Sequence, residues 1–491
     1  MKKIIILLVL IQLSYNGFSQ TCDCSSNLNW LIETFEKNDA GFKYVIDEKG
    51  EYVYLEHNKL YLEKASKISD LSECHKLLNN WTEFFRKNHL QVELIINTNN
   101  LVQQKELSKE ETIKKFQNSP KFEIKNKKFE KYLNNLKDKT GFEGAWLSEP
   151  YEIGIIKDNK NPYREYVGFI IKSESPYWQK NQIKLEIFKT KEEKYNMKYY
   201  MNDHTSREIE NINIEGNNYL LANFIVLKRL KPVINPNSKI AFFLKSKYTE
   251  RPFIEKVSNN TLLLRIPSFR YELKNEIDNL LLQNDSLIKN NFNLIIDLRN
   301  NGGGSDESYK KIIPYLYTNP IREIGVAYLS TELNNKRMVD FINNPDWSTD
   351  DKKWATESLE KLSKHIGKFV NLDENIVSTD TLGNIYPNPT NIAILINGEC
   401  GSTTEQFLLT AKQSKKVKLF GTTTVGSLDI SNLYSVDSPS KEFRLWYGLT
   451  KSYRIPEMSI DEKGIQPDYY FDETIKQADW LEKTVEILNY R

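Results

Sequence analysis

The sequence predicts an α/β core over residues 233–491, preceded by a mostly helical N-terminal segment and a small antiparallel β domain. Three observations lead to this prediction. The continuous apolar run Ile392–Ile396 and the strand-like stretch Leu294–Leu298 each lead into a glycine-bearing turn and then into helical spacing, a pattern typical of buried parallel strands. Residues 21–140 have mostly helical apolar spacing. Residues 141–232 contain several short strand-like stretches at close intervals.

The first twenty residues have the pattern of a secretory signal peptide. Lys2 and Lys3 precede the apolar run Ile4–Leu10, and small and polar residues follow as far as Gln20. The apolar run is too short to span a bilayer, and no later stretch is apolar enough to do so. We therefore expect a mature protein that is periplasmic or secreted. A lipoprotein form through Cys22 is the weaker alternative.

The four cysteines indicate a disulfide rather than a metal site. In an oxidising compartment Cys74 could pair with Cys22 or with Cys24, whereas Cys400 reads as a small core residue. No surrounding His/Cys pattern supports a metal site, so we expect no metal or organic cofactor.

The formal charge is +2, from 68 basic and 66 acidic residues, with no long block of one sign. Nucleic acid is therefore not an expected partner.

One predicted helix of the N-terminal segment is followed closely by a histidine. Apolar residues between Leu71 and Phe85 have helical spacing, and Leu90–Leu94 resembles a strand, so His89 lies at a helix-to-strand junction. The following domain, 141–232, reads as a small β-barrel or sandwich, and His204 falls in one of its turns.

The core contains a glycine-rich turn after its strand Leu294–Leu298. Gly302, Gly303 and Gly304 free the backbone to adopt positive φ and to point N–H groups at a ligand. The turn does not match a nucleotide-binding loop, because no Gly-Lys-Ser/Thr follows. The polar segment 333–390 is predicted to be a helical insertion in the core.

Ser402 lies where the strand Ile392–Ile396 turns into a helix that begins near Thr403. A serine at such a turn has its hydroxyl lifted clear of the sheet, next to N–H groups that can stabilise a developing negative charge. These are the requirements of a nucleophile. The alternative is that Ser402 is simply the N-cap of the helix.

Three motifs together resemble the tail-specific (C-terminal-processing) and tricorn-type serine peptidases. They are Asp-Leu-Arg-x-Asn-x-Gly-Gly at 297–304, Gly-Ser-x-x-Glu at 401–405 and Gly-Ile-x-Pro-Asp at 464–468. The resemblance covers about 233–491 and implies an α/β core of ClpP/crotonase-like type. It also implies that Ser402 is the nucleophile.

The same resemblance implies an oxyanion hole and a general base. The amides of Thr403 and of a glycine in 302–304, with Gly303 the first choice, would form the hole. Tail-specific relatives carry a Lys in a Phe-Gly-Lys-Gly stretch, but here residues 425–428 read Val-Gly-Ser-Leu, so a Ser–Lys dyad is unavailable. The tricorn-like branch uses a histidine from the segment before the core. We choose His89, with His204 as the alternative.

The acidic partner of the histidine is also implied by the resemblance. Tricorn relatives place a Glu three residues before the Gly of Gly-Ile-x-Pro-Asp. Asp461 occupies that position here, and Glu462 follows it. Either residue could orient the imidazole, or both could be loop charges that face solvent.

The sequence therefore predicts an exported serine peptidase that cleaves a peptide or protein substrate through Ser402 and His89. The alternative is a catalytically inactive peptide-binding protein on the same fold. A crotonase-like acyl-CoA enzyme fits the fold but not the signal peptide. The oligomeric state is left open.

Overall fold

The computed structural model describes residues 22–95, 109–223 and 225–490. The predicted signal peptide lies outside the described residues. The chain divides into two compact units. Of the described residues, the first unit comprises 22–95, Glu250–Thr474 and 482–490, and the second comprises 109–223, 225–249 and Ile475–Leu481.

The N-terminal helices belong to the unit that contains the core, which differs from the predicted boundary at residue 140. These helices are Cys24–Asn38, Phe42–Lys49, Glu51–Ala65 and Leu71–Thr82. A disulfide joins Cys24 to Cys74, which settles the choice between the two predicted pairings, while Cys22 stays a buried free thiol. Aromatic and aliphatic side chains including Phe35 and Trp81 are fully buried between the helices.

A six-stranded sheet forms the centre of the first unit and confirms the predicted α/β core. In spatial order its strands are Phe253–Ser258, Thr261–Arg265, Asn293–Asp297, Asn391–Ile396, Val417–Gly421 and Tyr469–Tyr470. The last five are parallel, and the first pairs antiparallel with its neighbour. All side chains of the two central strands are buried except at Asn391, as expected for strands covered on both faces. The helical elements of this core are Tyr271–Leu273, Lys274–Gln283, Asp285–Lys289, Asp306–Ser308, Ile313–Leu316 and Thr403–Ala411.

A second, five-stranded sheet connects the N-terminal segment to the C-terminal part of the core. The long strand Phe443–Ser452 pairs on one side with Ile430–Asp437, and it also pairs with Gln91–Leu94 and Val326–Leu329. Phe369–Asn371 completes this sheet. The strand that directly follows His89 is therefore fixed to the core by the Gln91–Trp446 register.

The insertion 333–390 is helical only in its first half. Its helices are Lys336–Asn343 and Thr349–Ser363. Its second half forms the short strands Phe369–Asn371 and Val377–Asp380, the latter paired with Ile321–Ile324.

The second unit contains a nine-stranded antiparallel sheet within residues 144–231. Its strands are Gly144–Ser148, Tyr151–Lys157, Tyr166–Ser173, Ile183–Lys189, Tyr195–Tyr200, Ser206–Ile209, Asn213–Glu215, Tyr219–Ala222 and Ile225–Lys231. Helices Lys109–Phe116, Asn126–Asn134 and Ser238–Tyr248 also lie in this unit, and the last helix of the chain is Trp480–Asn489. No helix in the described part of the chain has the length and apolarity to cross a membrane.

Candidate active site

Ser402 occupies a strained turn between the strand Asn391–Ile396 and the helix Thr403–Ala411. Its φ is 56° and its ψ is −126°, a conformation that side chains other than glycine rarely adopt. Ser402 holds the N-cap position of this helix, but its side chain makes no capping hydrogen bond. The Ser402 hydroxyl makes no hydrogen bond with any described residue. A strained strand-to-helix turn is also where α/β-hydrolases hold their nucleophilic serine, although residues 400–404 lack the Gly-x-Ser-x-Gly pattern of those enzymes.

Hydrogen bonds fasten the glycine-rich turn to the Ser402 turn. The Asn301 carbonyl accepts from the Gly401 amide at 3.3 Å and from the Thr404 hydroxyl at 2.9 Å. The Thr403 hydroxyl donates to the Gly304 carbonyl at 2.9 Å. Because these bonds cross between two strand ends, the sequence-distant motifs form one rigid site.

Two backbone amides at this junction make no hydrogen bond with any described residue. One is Thr403 N–H, the first amide of its helix, and the other is Gly302 N–H. The Gly303 amide, which the sequence favoured for the oxyanion hole, donates instead to Asn301 Oδ1 at 3.0 Å. The junction therefore offers the Thr403 and Gly302 amides directly to a negatively charged ligand.

Gly303 lies so close to the Ser402 turn that no side chain fits there. Its φ is +105°, and a Cβ would lie 2.8 Å from Gly401 O and Ser402 Cβ and 2.9 Å from Thr403 N. We expect Gly303→Ala to displace the turn and to lower kcat/KM for peptide hydrolysis by about 10²- to 10³-fold. The measurement is steady-state kinetics alongside thermal unfolding of each variant.

Gly302→Ala is the matched control, because a Cβ at Gly302 would meet nothing within 4 Å. Alanine at 302 also keeps the N–H group. Equal activity of the two alanine variants would contradict the proposed close contact between Gly303 and the nucleophile turn.

His89 follows the N-terminal helices in a loop where its φ is 56°. Its Nδ1 lies 2.8 Å from the Ile430 carbonyl oxygen. Because a carbonyl can only accept, Nδ1 carries the proton and Nε2 has the free lone pair. Nε2 makes no hydrogen bond with a described residue. The ring is therefore held in the tautomer that a general base requires.

A buried ion pair fixes the backbone of His89. The Arg86 guanidinium donates to both carboxylate oxygens of Asp39 and to the His89 carbonyl, the last at 3.0 Å. Asp39 also accepts from the Gly448 amide at 3.1 Å on the strand Phe443–Ser452. Sequence analysis missed this pair, because two residues 47 positions apart leave no local pattern.

His89 and the Ser402 turn lie on one cleft of about 280 Å³. Gly302 and Gly401, from the two fastened turns, line it together with His89. The other lining residues are Asn88, Leu90, Gln91, Glu399, Val425, Ser427, Leu433 and Trp446. The cleft thus brings the base candidate and the nucleophile turn to one place.

The hydrogen bonds of the Asp461 carboxylate go to backbone amides near the histidine and not to the imidazole itself. This carboxylate accepts from the amides of Leu428 at 2.6 Å, Asp429 at 2.7 Å and Ile430 at 3.0 Å. The carbonyl of that same Ile430 accepts from His89. Burial, followed by the negative charge of Asp429, raises the pKa of Asp461, while the amide bonds lower it. Asp461 therefore shapes the loop that orients the imidazole.

Glu462 and His204, the other two candidates, lie in different surroundings. The Glu462 side chain is exposed and makes no hydrogen bond or ion pair with the described residues. His204 belongs to the second unit, where its Nε2 donates to the Tyr177 carbonyl at 2.8 Å and its Nδ1 accepts from the Ser119 hydroxyl at 2.9 Å. These two bonds engage both ring nitrogens of His204. Its ring also stacks on Trp178.

Glu405 organises the loop at the position where tail-specific relatives carry their Lys. Its buried carboxylate accepts from the Thr424 hydroxyl and, at 2.8 Å each, from the amides of Gly426 and Ser427. The Ser427 carbonyl in turn accepts from the Ser402 amide at 3.1 Å. The sequence placed Glu405 in a motif but gave no sign of this structural role.

Cys400 is a core residue, as predicted. It is fully buried, its thiol donates to the Leu298 carbonyl at 3.1 Å, and burial raises its pKa to about 12. Over the described ranges, no group of three or more His, Cys, Asp or Glu side chains is arranged to hold a metal ion.

An α/β core with a serine on a strained strand-to-helix turn is the architecture of a serine hydrolase. Residues 260–471 match the model of peptidase family S41. Residues 260–471 therefore form a domain of peptidase family S41, a family of serine peptidases. No curated protein sequence gives a significant match to the chain.

Solved structures that resemble this chain include mature CPAF, the photosystem II D1 C-terminal processing protease and the tricorn protease. CPAF is 13% identical over 95% of each chain, with a TM-score of 0.48. The D1 protease is 12% identical over 94% of this chain and 97% of its own, with a TM-score of 0.38. The tricorn protease is 12% identical over 95% of this chain but 36% of its own, with a TM-score of 0.41. The family assignment rests on the family-model match.

Proposed function

We propose that this serine peptidase hydrolyses peptide bonds with Ser402 as nucleophile and His89 as general base. His89 Nε2 takes the hydroxyl proton as Ser402 attacks the carbonyl carbon, and it later gives that proton to the leaving amine. Water then hydrolyses the acyl-enzyme. The observation that carries the proposal is the free Nε2 of a neutral imidazole, fixed by Ile430, on the cleft formed by the Ser402 turn.

Backbone amides stabilise the negative charge that develops on the substrate oxygen. Thr403 N–H at the start of its helix is one donor, and a glycine amide of the neighbouring turn is the second. The Gly302 amide makes no hydrogen bond with a described residue, so it can donate to the substrate oxygen directly. The Gly303 amide would serve after release from Asn301 Oδ1. Asp461 is a positioning residue, because it acts on His89 through Ile430.

We also propose that the protein works outside the cytoplasm, in the periplasm or as a secreted enzyme. The disulfide between Cys24 and Cys74 supports an oxidising compartment. The charged and apolar pattern of residues 1–20 supports export.

The direct test is labelling of the protein with a fluorophosphonate, followed by peptide mapping. We expect a single adduct on the peptide that contains Ser402, with loss of peptide hydrolysis in proportion to labelling. An adduct on another serine would overturn the nucleophile assignment. A folded protein that neither labels nor cleaves peptides would favour the inactive peptide-binding alternative.

The pH dependence of activity should reflect His89. Burial lowers its pKa and the Arg86 charge adds to this, while the hydrogen bond to Ile430 and the Asp461 charge act in the opposite direction. A base must be neutral, and a lowered pKa extends the neutral form to lower pH. We expect kcat/KM to fall on acidification with a midpoint below the ordinary histidine value of about 6.5.

The measurement is kcat/KM against pH with a peptide that lacks titratable groups. Asp461→Asn is the informative variant, because removing the negative charge should move the acidic midpoint further down. A wild-type midpoint above about 6.5 would contradict the assignment of His89 as base.

A further inference from the structure

Glu399 places an uncompensated negative charge on the catalytic cleft. Of the described residues that line this cleft, Glu399 alone has a carboxylate. No Lys or Arg is among these lining residues. The side chain is exposed, and its carboxylate makes no hydrogen bond or ion pair with any described residue. The Glu399 amide donates to Asn397 Oδ1 at 3.3 Å, so the backbone three residues before Ser402 is held in place.

The walls around Glu399 suit a long side chain with an apolar stem. Val425, Leu433 and Trp446 line the same cleft. Lys and Arg bury their methylene stems against apolar surface while their charged ends reach a polar partner, and an indole face attracts cations. The cleft volume of about 280 Å³ leaves room for such a side chain.

His89, the proposed base on the same cleft, does not repel a cationic substrate side chain. Burial lowers the pKa of His89, so the imidazole on the same cleft is neutral at neutral pH and does not repel a positive charge. A peptide bound over the cleft also excludes water from Glu399, which strengthens an ion pair relative to one on an open surface.

We propose, on the basis of the function proposed above, that this peptidase selects substrates with a Lys or Arg side chain within two residues of the scissile bond. The carboxylate of Glu399 pairs with the basic group, while Val425, Leu433 and Trp446 pack against its stem. The substrates are therefore basic peptide segments.

The test combines a peptide library with one matched pair of substrates. Cleavage sites mapped by mass spectrometry in the library should be enriched in Lys and Arg next to the cut. A peptide with Arg at the preferred position should have a kcat/KM about tenfold above the same peptide with citrulline, which keeps the shape but not the charge. Wild-type protein suffices for this comparison, so it does not depend on how a variant folds.

Variants then assign the preference to Glu399. Glu399→Gln should equalise the Arg and citrulline peptides, and Glu399→Lys should favour citrulline. Glu457→Gln is the control, because Glu457 is an exposed carboxylate that does not line the cleft. It should keep the wild-type ratio.

The fluorophosphonate adduct separates failure of this inference from failure of the proposed function. Labelling at Ser402 with no preference for Arg over citrulline, or with a preference that Glu399→Gln leaves intact, overturns the role of Glu399 alone. Absence of labelling together with absence of cleavage overturns both.

Discussion

Ser402→Ala should lower kcat/KM for peptide hydrolysis by about 10⁴- to 10⁶-fold, because it removes the atom that forms the acyl-enzyme. The change is small, and the Ser402 hydroxyl makes no hydrogen bond with any described residue, so the fold should survive. Steady-state kinetics and fluorophosphonate labelling measure the loss, and thermal unfolding checks the fold.

Ser363→Ala provides the comparison for Ser402→Ala. Ser363 is an exposed serine whose hydroxyl donates to the Leu359 carbonyl within its own helix. Its replacement should leave both rate and labelling unchanged. A Ser402→Ala protein that still forms an acyl-enzyme would refute the assignment of the nucleophile.

His89→Gln should lower kcat/KM by about 10²- to 10⁴-fold, the range usually attributed to a general base. Glutamine keeps a polar side chain of similar reach but has no group that can accept the serine proton. The loss should fall on kcat and kcat/KM together, because the base acts in the transition state. The acidic limb of the pH profile should disappear in the residual activity.

Two other histidines make this test selective. His365 is exposed, and its Nδ1 donates to the Lys361 carbonyl in the last turn of the preceding helix, so His365→Gln should be neutral. His204→Gln decides between the two bases considered from sequence. A larger loss in His204→Gln than in His89→Gln would transfer the role of base to His204.

The core could be predicted from sequence because its signals are local. Buried parallel strands such as Asn293–Asp297 and Asn391–Ile396 appear as continuous apolar runs, and the glycines that follow mark the turns. The serine turn was located for the same reason, since a strand pattern changes to helical spacing within a few residues.

The grouping of the N-terminal helices with the core could not be predicted because it depends on pairing between distant segments. Nothing near Gln91–Leu94 indicates that this strand pairs with Phe443–Trp446, more than 300 residues later. That pairing places the helices of 22–95 in one compact unit with the core, whereas the sequence predicts a separate helical domain over 21–140.

The hydrogen bonds of the candidate site could not be predicted from the sequence either. The tautomer of His89 is set by a carbonyl, and every residue has a carbonyl, so no residue type marks it. Likewise, the bond between Gly303 N–H and Asn301 Oδ1 depends on the conformation of one turn. Motifs identify which residues meet, but hydrogen bonds decide which of their atoms are free.

The pairing of Gln91–Leu94 with Phe443–Ser452 also has a consequence for biosynthesis. Ribosomes make His89 early and the Phe443–Ser452 strand near the end, so an unfinished chain lacks the partner that positions its base. On the mechanism proposed above, the site is complete only after the strand Phe443–Ser452 has been made and has paired with Gln91–Leu94.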